Sequence, residues 1–475
     1  MPESRFLANT VTAGGRQNAG LLRLRPIRIV ALVYLFLCLL GAVLLSLPVA
    51  QVPGHVVSPL DCLFTATSAV TLTGLVTVST ADNWSLFGQC VLLFLMQIGG
   101  LVIIIAATNI GLLLGLRIGL PQKMQVVDAH GSFGFRHAWR VARYVLGTTL
   151  ILEFLGALAL TVRLVQGHGL PWGQAFFSGV FYSISAFCNA GFTLTPGFMG
   201  MQSYFGDMPL LTIIAVLVLL GGLGFGVIME LFHWRVQRRL SVQAKVVLAS
   251  AAVLVLLGAA MIILLEGHNA ATLEGLSSPQ RLFYAFFLAI TARTGGFTPI
   301  DMMAVFPTTW LILCLLMFVG AAPGSTGGGV KTTTIATIGL AIRTMMQRKE
   351  EIEIFGRRIS GTLVRLALSL VTMYVLGLLV MIVAVSMSEI TLRASLPANM
   401  DVLDYQVKLV FEVISAFTNT GFTTGITPQL LPATRWLLII AMLLGRIGPL
   451  AFVYVFARRK KPTLRHLPVE PMMAG

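Results

Sequence analysis

The sequence is poor in charge. Of its 475 residues, 33 are Lys or Arg and 18 are Asp or Glu, 11% together, where a soluble domain carries about 25%. So few charges cannot cover a water-exposed globule of this length, and 56% hydrophobic residues with a mean hydropathy of +0.88 turn the reading towards a lipid environment. Paired cysteines are also lacking: Cys38, Cys62, Cys90, Cys188 and Cys314 are odd in number, scattered and without a C-x-x-C pair, so no disulfide framework or thiolate metal site is indicated. The seven histidines lie mostly in connections and form no metal-ligand spacing. A membrane-embedded enzyme acting on lipid or isoprenoid substrates would need convergent carboxylates, histidines or a nucleophile and base near an interface. The acidic residues are instead mostly isolated, and the chain reads as a non-enzyme.

What is present is a series of long apolar runs, near 29–49, 84–116, 144–166, 209–233, 246–265, 308–342, 363–387 and 431–457, each long enough to span about 30 Å of hydrocarbon. The first 26 residues are polar and basic with no cleavable signal, so insertion is expected to begin at the first run. Between the first and second, third and fourth, fifth and sixth, and seventh and eighth runs lies a shorter apolar stretch. These stretches run from Phe64 to Gly74, Phe181 to Gly191, Phe286 to Gly296 and Phe411 to Gly421, always with Phe ten residues before Gly. The intervals between the glycines are 117, 105 and 125 residues, close to a quarter of the chain, so an internal fourfold repeat is the primary signal. A dozen helical residues are too short to cross a bilayer and should enter and return, and irregular backbone at that depth must be buried in protein or line a water-filled cavity. The expected architecture is an all-α polytopic membrane protein of four pseudo-symmetric helix, pore-loop, helix repeats around one central pore, with eight spans and four re-entrant pore helices. The repeats cover 29–117, 144–233, 246–342 and 363–457, between a basic N-terminus, 1–28, and a tail, 458–475.

The net charge of +15 is mainly a topology signal. Five basic residues lie between Arg5 and Arg28, five between Arg117 and Arg143, four between Arg235 and Lys245, six between Arg343 and Arg365 and five between Arg458 and Arg465, which puts 25 of the 33 on one side. By the positive-inside rule this side is cytoplasmic; both termini are inside, the four short loops enter from outside, and no nucleic-acid partner is implied.

The short stretches end in Thr71, Leu72, Thr73 and Gly74; Cys188, Asn189, Ala190 and Gly191; Arg293, Thr294, Gly295 and Gly296; and Thr418, Asn419, Thr420 and Gly421. A dehydrating cation needs a ring of oxygen dipoles, and backbone carbonyls supply one where glycine permits the dihedral angles. The negative C-terminal ends of the four half-helices would favour a cation below such a ring. Glycines that merely let helices pack closely are the alternative, weakened by the shared register of all four. Arg293 is the odd member, expected to brace its loop by pairing with a carboxylate such as Asp301, or to set ion affinity. The sixth run is interrupted by Gly320, Pro323, Gly324, Gly327, Gly328 and Gly329, which cannot sustain a lipid-facing helix. This break, 320–329, is expected to form a mobile loop held by few contacts, with Lys331 at its cytoplasmic edge. It lacks the spacing of a phosphate loop, and Gly222 to Gly226 lies inside an apolar span without a strand-turn-helix setting, so no nucleotide site is indicated. Arg446 is costly at mid-membrane and should face protein or a water cavity, as an electrostatic barrier, as a hydrogen-bond donor to loop carbonyls, or as both. Glu153 and Glu412 are the acidic residues expected to be buried, with a structural hydrogen bond favoured over proton or sodium coupling.

These motifs together resemble the Trk/Ktr/HKT superfamily of potassium transporters over residues 27–457. The break from Gly320 to Thr332 resembles that superfamily's intramembrane gating loop, and Gly445-Arg446-Ile447-Gly448-Pro449-Leu450 its pore-facing arginine motif. With about 28 residues before the first run, the chain is most similar to the membrane subunit of a bacterial Ktr system. The resemblance implies potassium uptake through a gated pore, with K+ bound at the carbonyls of the four quartets as a selectivity filter, Na+ as a candidate activator and no covalent cofactor. It further implies a homodimer in the bacterial cytoplasmic membrane and a separate cytosolic nucleotide-binding (RCK-type) regulatory ring. The basic loops at 117–143 and 343–365 are open to two readings, docking of that ring or contact with anionic membrane lipid. A serine at the first filter position is associated with sodium transport in the plant branch; Gly74 stands there instead, which favours potassium over a sodium transporter of the same superfamily.

Overall fold

The computed structural model of the chain describes residues 25–113, 135–349, 351–392 and 402–448. The basic segments before residue 25, from Arg117 to Lys123 and from Arg458 to Arg465 lie outside the described residues, as do Pro449, Leu450 and the tail at 458–475.

Helices follow one another in four groups. The first is α1 (Arg25–Leu45), α2 (Pro59–Thr71) and α3 (Leu86–Leu113); the second is α4 (Phe135–His168), α5 (Trp172–Phe187) and α6 (Met208–Leu223), continued by α7 (Phe225–Gln237). The third is α8 (Val242–Glu266), α9 (Ser278–Thr291) and α10 (Pro307–Phe318), continued by α11 (Thr332–Met346); the fourth is α12 (Gly361–Leu392), α13 (Val402–Thr418) and α14 (Pro432–Ile447). An antiparallel hairpin, β1 (Ile352–Ile354) with β2 (Arg357–Ile359), joins α11 to α12.

The middle helix of each group is short, started by local chemistry and buried. Ser58 caps α2 by accepting from the Asp61 amide, Pro59 takes a first-turn position that needs no N–H, and Ser277 and Gln280 form a capping box on α9. At 1.5 Å per residue, 13 residues in α2 and 17 in α13 reach about 20–26 Å. Their last threonines bond back to the preceding turn, Thr71 to the Thr67 carbonyl at 2.7 Å and Thr418 to that of Ile414 at 2.8 Å.

The longer helices expose apolar side chains: Phe154 and Leu155 on α4, Leu256, Leu257 and Leu264 on α8, and Leu379, Val380 and Val383 on α12. Faces of this kind are stable against hydrocarbon and not against water. Among the described residues Ala142–His168, Val242–Glu266 and Gly361–Ile390 are each long and apolar enough to cross a bilayer, and α6 with α7 form a fourth such unit, bent by 105°. Ile29–Leu45, Leu86–Val102 and Pro307–Phe318 are shorter apolar helices. The chain is a helical membrane protein.

The bend between α6 and α7 corrects the expectation of an unbroken run over 209–233. Gly224, at φ 84° and ψ 140°, sits so close to the chain of the third repeat that a Cβ would lie 2.6 Å from the Pro323 carbonyl oxygen, and the Phe225 amide donates to Gly324 at 3.1 Å. The last run turns likewise: α14 stops at Ile447 and Gly448 takes φ 86° and ψ 140°.

Two further buried carboxylates, not singled out in the sequence, fasten the later repeats. Glu266 accepts from the Phe306 amide at 2.9 Å and from Thr309 and Asn269, while Glu389 accepts from the Leu431 amide at 3.0 Å and from Tyr405. Phe306 and Leu431 are the cap residues of α10 and α14, so each carboxylate meets the positive end of its repeat's next long helix. In the connections, the Gly197 amide donates to the Asp82 carboxylate at 2.9 Å, tying the first two repeats. Asp61 closes the circle from first to last repeat through a 2.6 Å ion pair with Arg435, which also donates to the Leu430 and Pro428 carbonyls.

Both side chains of that pair are largely buried, 11% and 18% exposed, and removing one partner of a buried pair costs about 3–5 kcal/mol. Arg435→Ala should therefore lower the thermal midpoint of the detergent-purified protein, and adding Asp61→Ala should cost less than the sum of the single losses. Strictly additive losses would show that the pair does not couple the two repeats.

Candidate functional site

Each short helix ends three to five residues before its glycine, and the chain then alternates in hand. Leu72, Asn189, Thr294 and Asn419 have φ of 57°, 56°, 73° and 54°, and Gly74, Gly191, Gly296 and Gly421 have 89°, 71°, 75° and 89°. The residue between each pair, Thr73, Ala190, Gly295 or Thr420, has no positive φ. Sequence reasoning assigned positive φ to the glycines alone; a left-handed non-glycine costs about 1–2 kcal/mol, and neighbouring bonds offset it. The Asn419 amide donates to Thr73 Oγ1 and to the Met442 carbonyl, both at 2.9 Å. Ser68 and Ser415 accept from the Gly74 and Gly421 amides at 3.0 and 3.1 Å, and Ser185 donates to the Phe192 carbonyl at 2.8 Å. A serine six residues before the glycine in three of the four repeats is the sequence signal that marks these bonds.

The four turns meet in cyclic order. A Cβ on Gly74 would lie 2.5 Å from the Ala190 carbonyl oxygen, on Gly191 3.0 Å from the Gly296 Cα, on Gly296 2.7 Å from the Thr420 oxygen, and on Gly421 in overlap with the Thr73 oxygen. Repeat one thus touches two, two touches three, three touches four and four touches one. Glycine is required here by the approach of a neighbouring backbone as well as by φ. Around this ring the remaining quartet members lie at the helix ends: Thr71 shares a hydrogen bond with Thr73 and Thr418 with Thr420, both at 2.8 Å, and Cys188 Sγ faces Glu153 Oε1 at 3.7 Å. Glu412 stands behind the fourth turn, accepting from Thr423, Thr424 and Thr427. Arg293 does not pair with Asp301. Its Nη2 donates to the Gly320 carbonyl at 3.3 Å, while Asp301 lies exposed and accepts from the Met303 amide.

Residues 319–331 form a compact non-helical segment against the ring. A Cβ on Gly327 would meet Thr294 Oγ1, and one on Gly328 would meet the Thr418 carbonyl, so this segment touches the third and fourth turns directly. It is fastened to the second repeat by Thr326, whose hydroxyl donates to the Phe187 and Gly221 carbonyls at 3.2 and 3.1 Å, and by the Ala322 amide on Gly222 at 3.0 Å. Lys331 Nζ donates to Gly327 at 2.7 Å, and the Val330 amide to Phe318 at 3.0 Å. The expectation of a loop held by few contacts is therefore corrected: Gly327 and Gly328 are small because the third and fourth turns press on them, and Gly320 and Gly329 because the two ends of the segment press on each other. Pro323 and Gly324 form the turn that meets Gly224 and Phe225.

Arg446 reaches this segment from α14. Its Nη1 donates to the Thr326 carbonyl at 2.6 Å, and its Nε to the Tyr34 hydroxyl at 3.5 Å, which itself donates to Gly99. A further register appears in space that the sequence reading missed. A Cβ on Gly99, Gly221 or Gly445 would overlap the carbonyl oxygen of Val70, Phe187 or Phe417, each four residues before its repeat's ring glycine. Arg446 follows Gly445 as Gly100 follows Gly99 and Gly222 follows Gly221; among these three repeats it is the single large side chain at that level. Four helix C-termini, each worth about half a negative charge, thus face the ring, and one guanidinium stands beside the loop packed against it.

A family model described as TrkH, cation transport protein, matches residues 45–463. The Ktr system potassium uptake protein B of Bacillus subtilis is 34% identical over 446 residues, covering 94% of this chain and 96% of that protein. The protein of the same description from Vibrio alginolyticus is 35% identical over 450 residues, covering 94% of each. The crystal structure of the potassium transporter TrkH from Vibrio parahaemolyticus superposes with a TM-score of 0.70 over 91% of this chain and 84% of that one, at 20% identity, a likeness of fold. A match spanning nearly the whole chain, and relatives aligned end to end, mean that the chain belongs to the TrkH family of cation transport proteins.

Proposed function

We propose that this protein takes up potassium ions across the bacterial cytoplasmic membrane, through a pore whose selectivity filter is the ring at Gly74, Gly191, Gly296 and Gly421. The observation that carries the reading is the cyclic approach of the four positive-φ turns, each glycine against its neighbour's backbone. Backbone carbonyls at the ring can replace the hydration shell of a monovalent cation, and the helix C-termini add negative potential. In this reading α2, α5, α9 and α13 are re-entrant pore helices among eight spans, the basic connections and both termini are cytoplasmic, and the segment 319–331 with Arg446 is the gate. Thr294 Oγ1, Asn419 Oδ1 and Arg446 Nη2 are buried and have no protein partner, which supports a water-lined path between ring and gate. A homodimer with a separate nucleotide-binding regulatory ring completes the reading; the naming of the relatives as part of a Ktr system supports a further component and goes no further than that. Sodium as activator stands as part of the same proposal.

Gly74→Ser should weaken discrimination of potassium from sodium, because any Cβ there presses on the Ala190 carbonyl at 2.5 Å and displaces one oxygen of the ring. Sodium competition with rubidium uptake measures it. Unchanged selectivity in a well-expressed variant would remove Gly74 from the filter.

Ser203 and Ser360 are exposed at opposite ends of the proposed topology. Single cysteines placed there in a cysteine-free background should be labelled from outside only at 203; the reverse pattern would overturn the orientation.

Arg446→Ala removes a charged hydrogen bond to the Thr326 carbonyl, worth about 1.5–3 kcal/mol, or roughly 10- to 100-fold in the population of the closed loop. Flux through reconstituted protein should rise, and deleting Gly327 to Gly329 should raise it further. Flux that stays at the parent level in both folded variants would make this segment a packing break and place the gate elsewhere.

A further inference from the structure

A cavity of about 760 Å³ opens between the end of α7 and the start of α8, with the β1–β2 hairpin as its far wall. Arg238, Arg239, Lys245 and Arg357 line it together with Trp234 and Phe355, and no acidic residue does. Among the described residues none of the four cations forms an ion pair. Of the acids nearby, Glu230 accepts from the Ser241 amide at 2.9 Å, Glu351 pairs with Arg358 at 2.6 Å, and Glu353 of β1 lines the neighbouring pocket with Arg343 and Lys349 and not this one. Lys245 Nζ lies 5.4 Å over the Phe355 ring, which directs its charge into the cavity wall beside the hairpin. Four like charges brought together without counter-charge repel one another, and they suit an anion with several acceptor oxygens, for which guanidinium forks are the matching donors. The N-terminus of the 25-residue α8, capped by Ser241, opens at the same place and adds its dipole.

The surroundings identify the source of that anion. Trp234 and Phe232 are 52% and 60% exposed at the end of α7, the position of amphipathic aromatics at a membrane interface. From the cavity, α8 runs on with Val253, Leu256 and Leu257 exposed, the first about 16 Å from the start of the helix. A cationic cavity with an aromatic rim and an apolar track below it has the shape of a phospholipid: headgroup, interface, acyl chain. We propose that this cavity binds the phosphate of an anionic phospholipid headgroup, held between Arg238 and Arg239 on one side and Arg357 of the hairpin on the other, with acyl chains along the exposed face of α8. This rests on the membrane placement of the preceding section and is independent of ion conduction.

The test uses the full-length detergent-purified protein mixed with equal amounts of phosphatidylglycerol and phosphatidylcholine and examined by native mass spectrometry. The parent should retain phosphatidylglycerol selectively. The triple variant Arg238→Gln, Arg239→Gln, Arg357→Gln should retain about tenfold less, with phosphatidylcholine unchanged. The corresponding triple lysine variant, which keeps the charge, should recover most of the retention and so separates lost binding from lost folding. Equal phosphatidylglycerol retention by the parent and the glutamine variant overturns the proposal, including where that variant loses an acidic partner protein instead. Binding of inorganic phosphate alone, without selective lipid retention, overturns the lipid assignment in favour of a soluble phosphate ligand. Rubidium uptake by the same preparations reports on the transport reading separately.

Discussion

A peptide group inside hydrocarbon has no water to turn to, so every interruption of a helix at that depth must find its partners in protein. The structure is organised around the answers to that demand. The amides freed beyond α2, α5, α9 and α13 fold back on the serine or threonine level of their own helix, as in Thr73 to Ser68 at 2.8 Å and Gly295 to Thr291 at 2.7 Å. The chain freed beyond α10 is satisfied by repeats two and four, and the turn at Gly224 is satisfied by that same chain through Gly324. Breaks in different repeats therefore answer each other and cluster near one ring, where the backbones come close enough to exclude side chains.

That clustering explains what could be read in the sequence and what could not. The membrane class and the family are local signals: long apolar runs, and a Phe and a Gly ten residues apart repeated four times. The left-handed turn at Leu72 or Asn189 is not local in the same sense. Neither residue favours that geometry as glycine does; it is imposed by the neighbouring turn and by bonds such as Asn419 to Thr73, 346 residues apart. The bend at Gly224 was hidden for the same reason, since Gly222-Leu-Gly224 is ordinary in an apolar helix and becomes a break only when Pro323 arrives from another repeat.

Charged residues divide along a similar line. For Arg293 the sequence leaves bracing and ion affinity both open, and the partner it suggests, Asp301, is not the one that the fold supplies. The available carboxylate lies outside, whereas the carbonyl of Gly320 lies at hydrogen-bond distance within the core. Glu266 and Glu389 were overlooked because one stands at the end of an apolar run and the other beyond one, where a solvated charge is the usual expectation. Only the fold shows that each end abuts the start of another helix.

In the proposed pore Arg446 would combine both kinds of role, and magnitudes show why they are hard to separate. A unit charge about 5 Å from a monovalent cation, at an effective dielectric of about 20, opposes it by roughly 3 kcal/mol. Its bond to the Thr326 carbonyl is worth about 1.5–3 kcal/mol, so barrier and brace are of equal size. They also depend on each other. The Thr326 oxygen shields part of the guanidinium's charge; were the proposed gate to open by moving this loop, the brace would be lost and the charge less compensated, with the Tyr34 hydroxyl as its remaining contact. In the proposed gate, steric opening alone would therefore not remove the electrostatic barrier, and a full opening would have to relocate the guanidinium together with the loop that it holds.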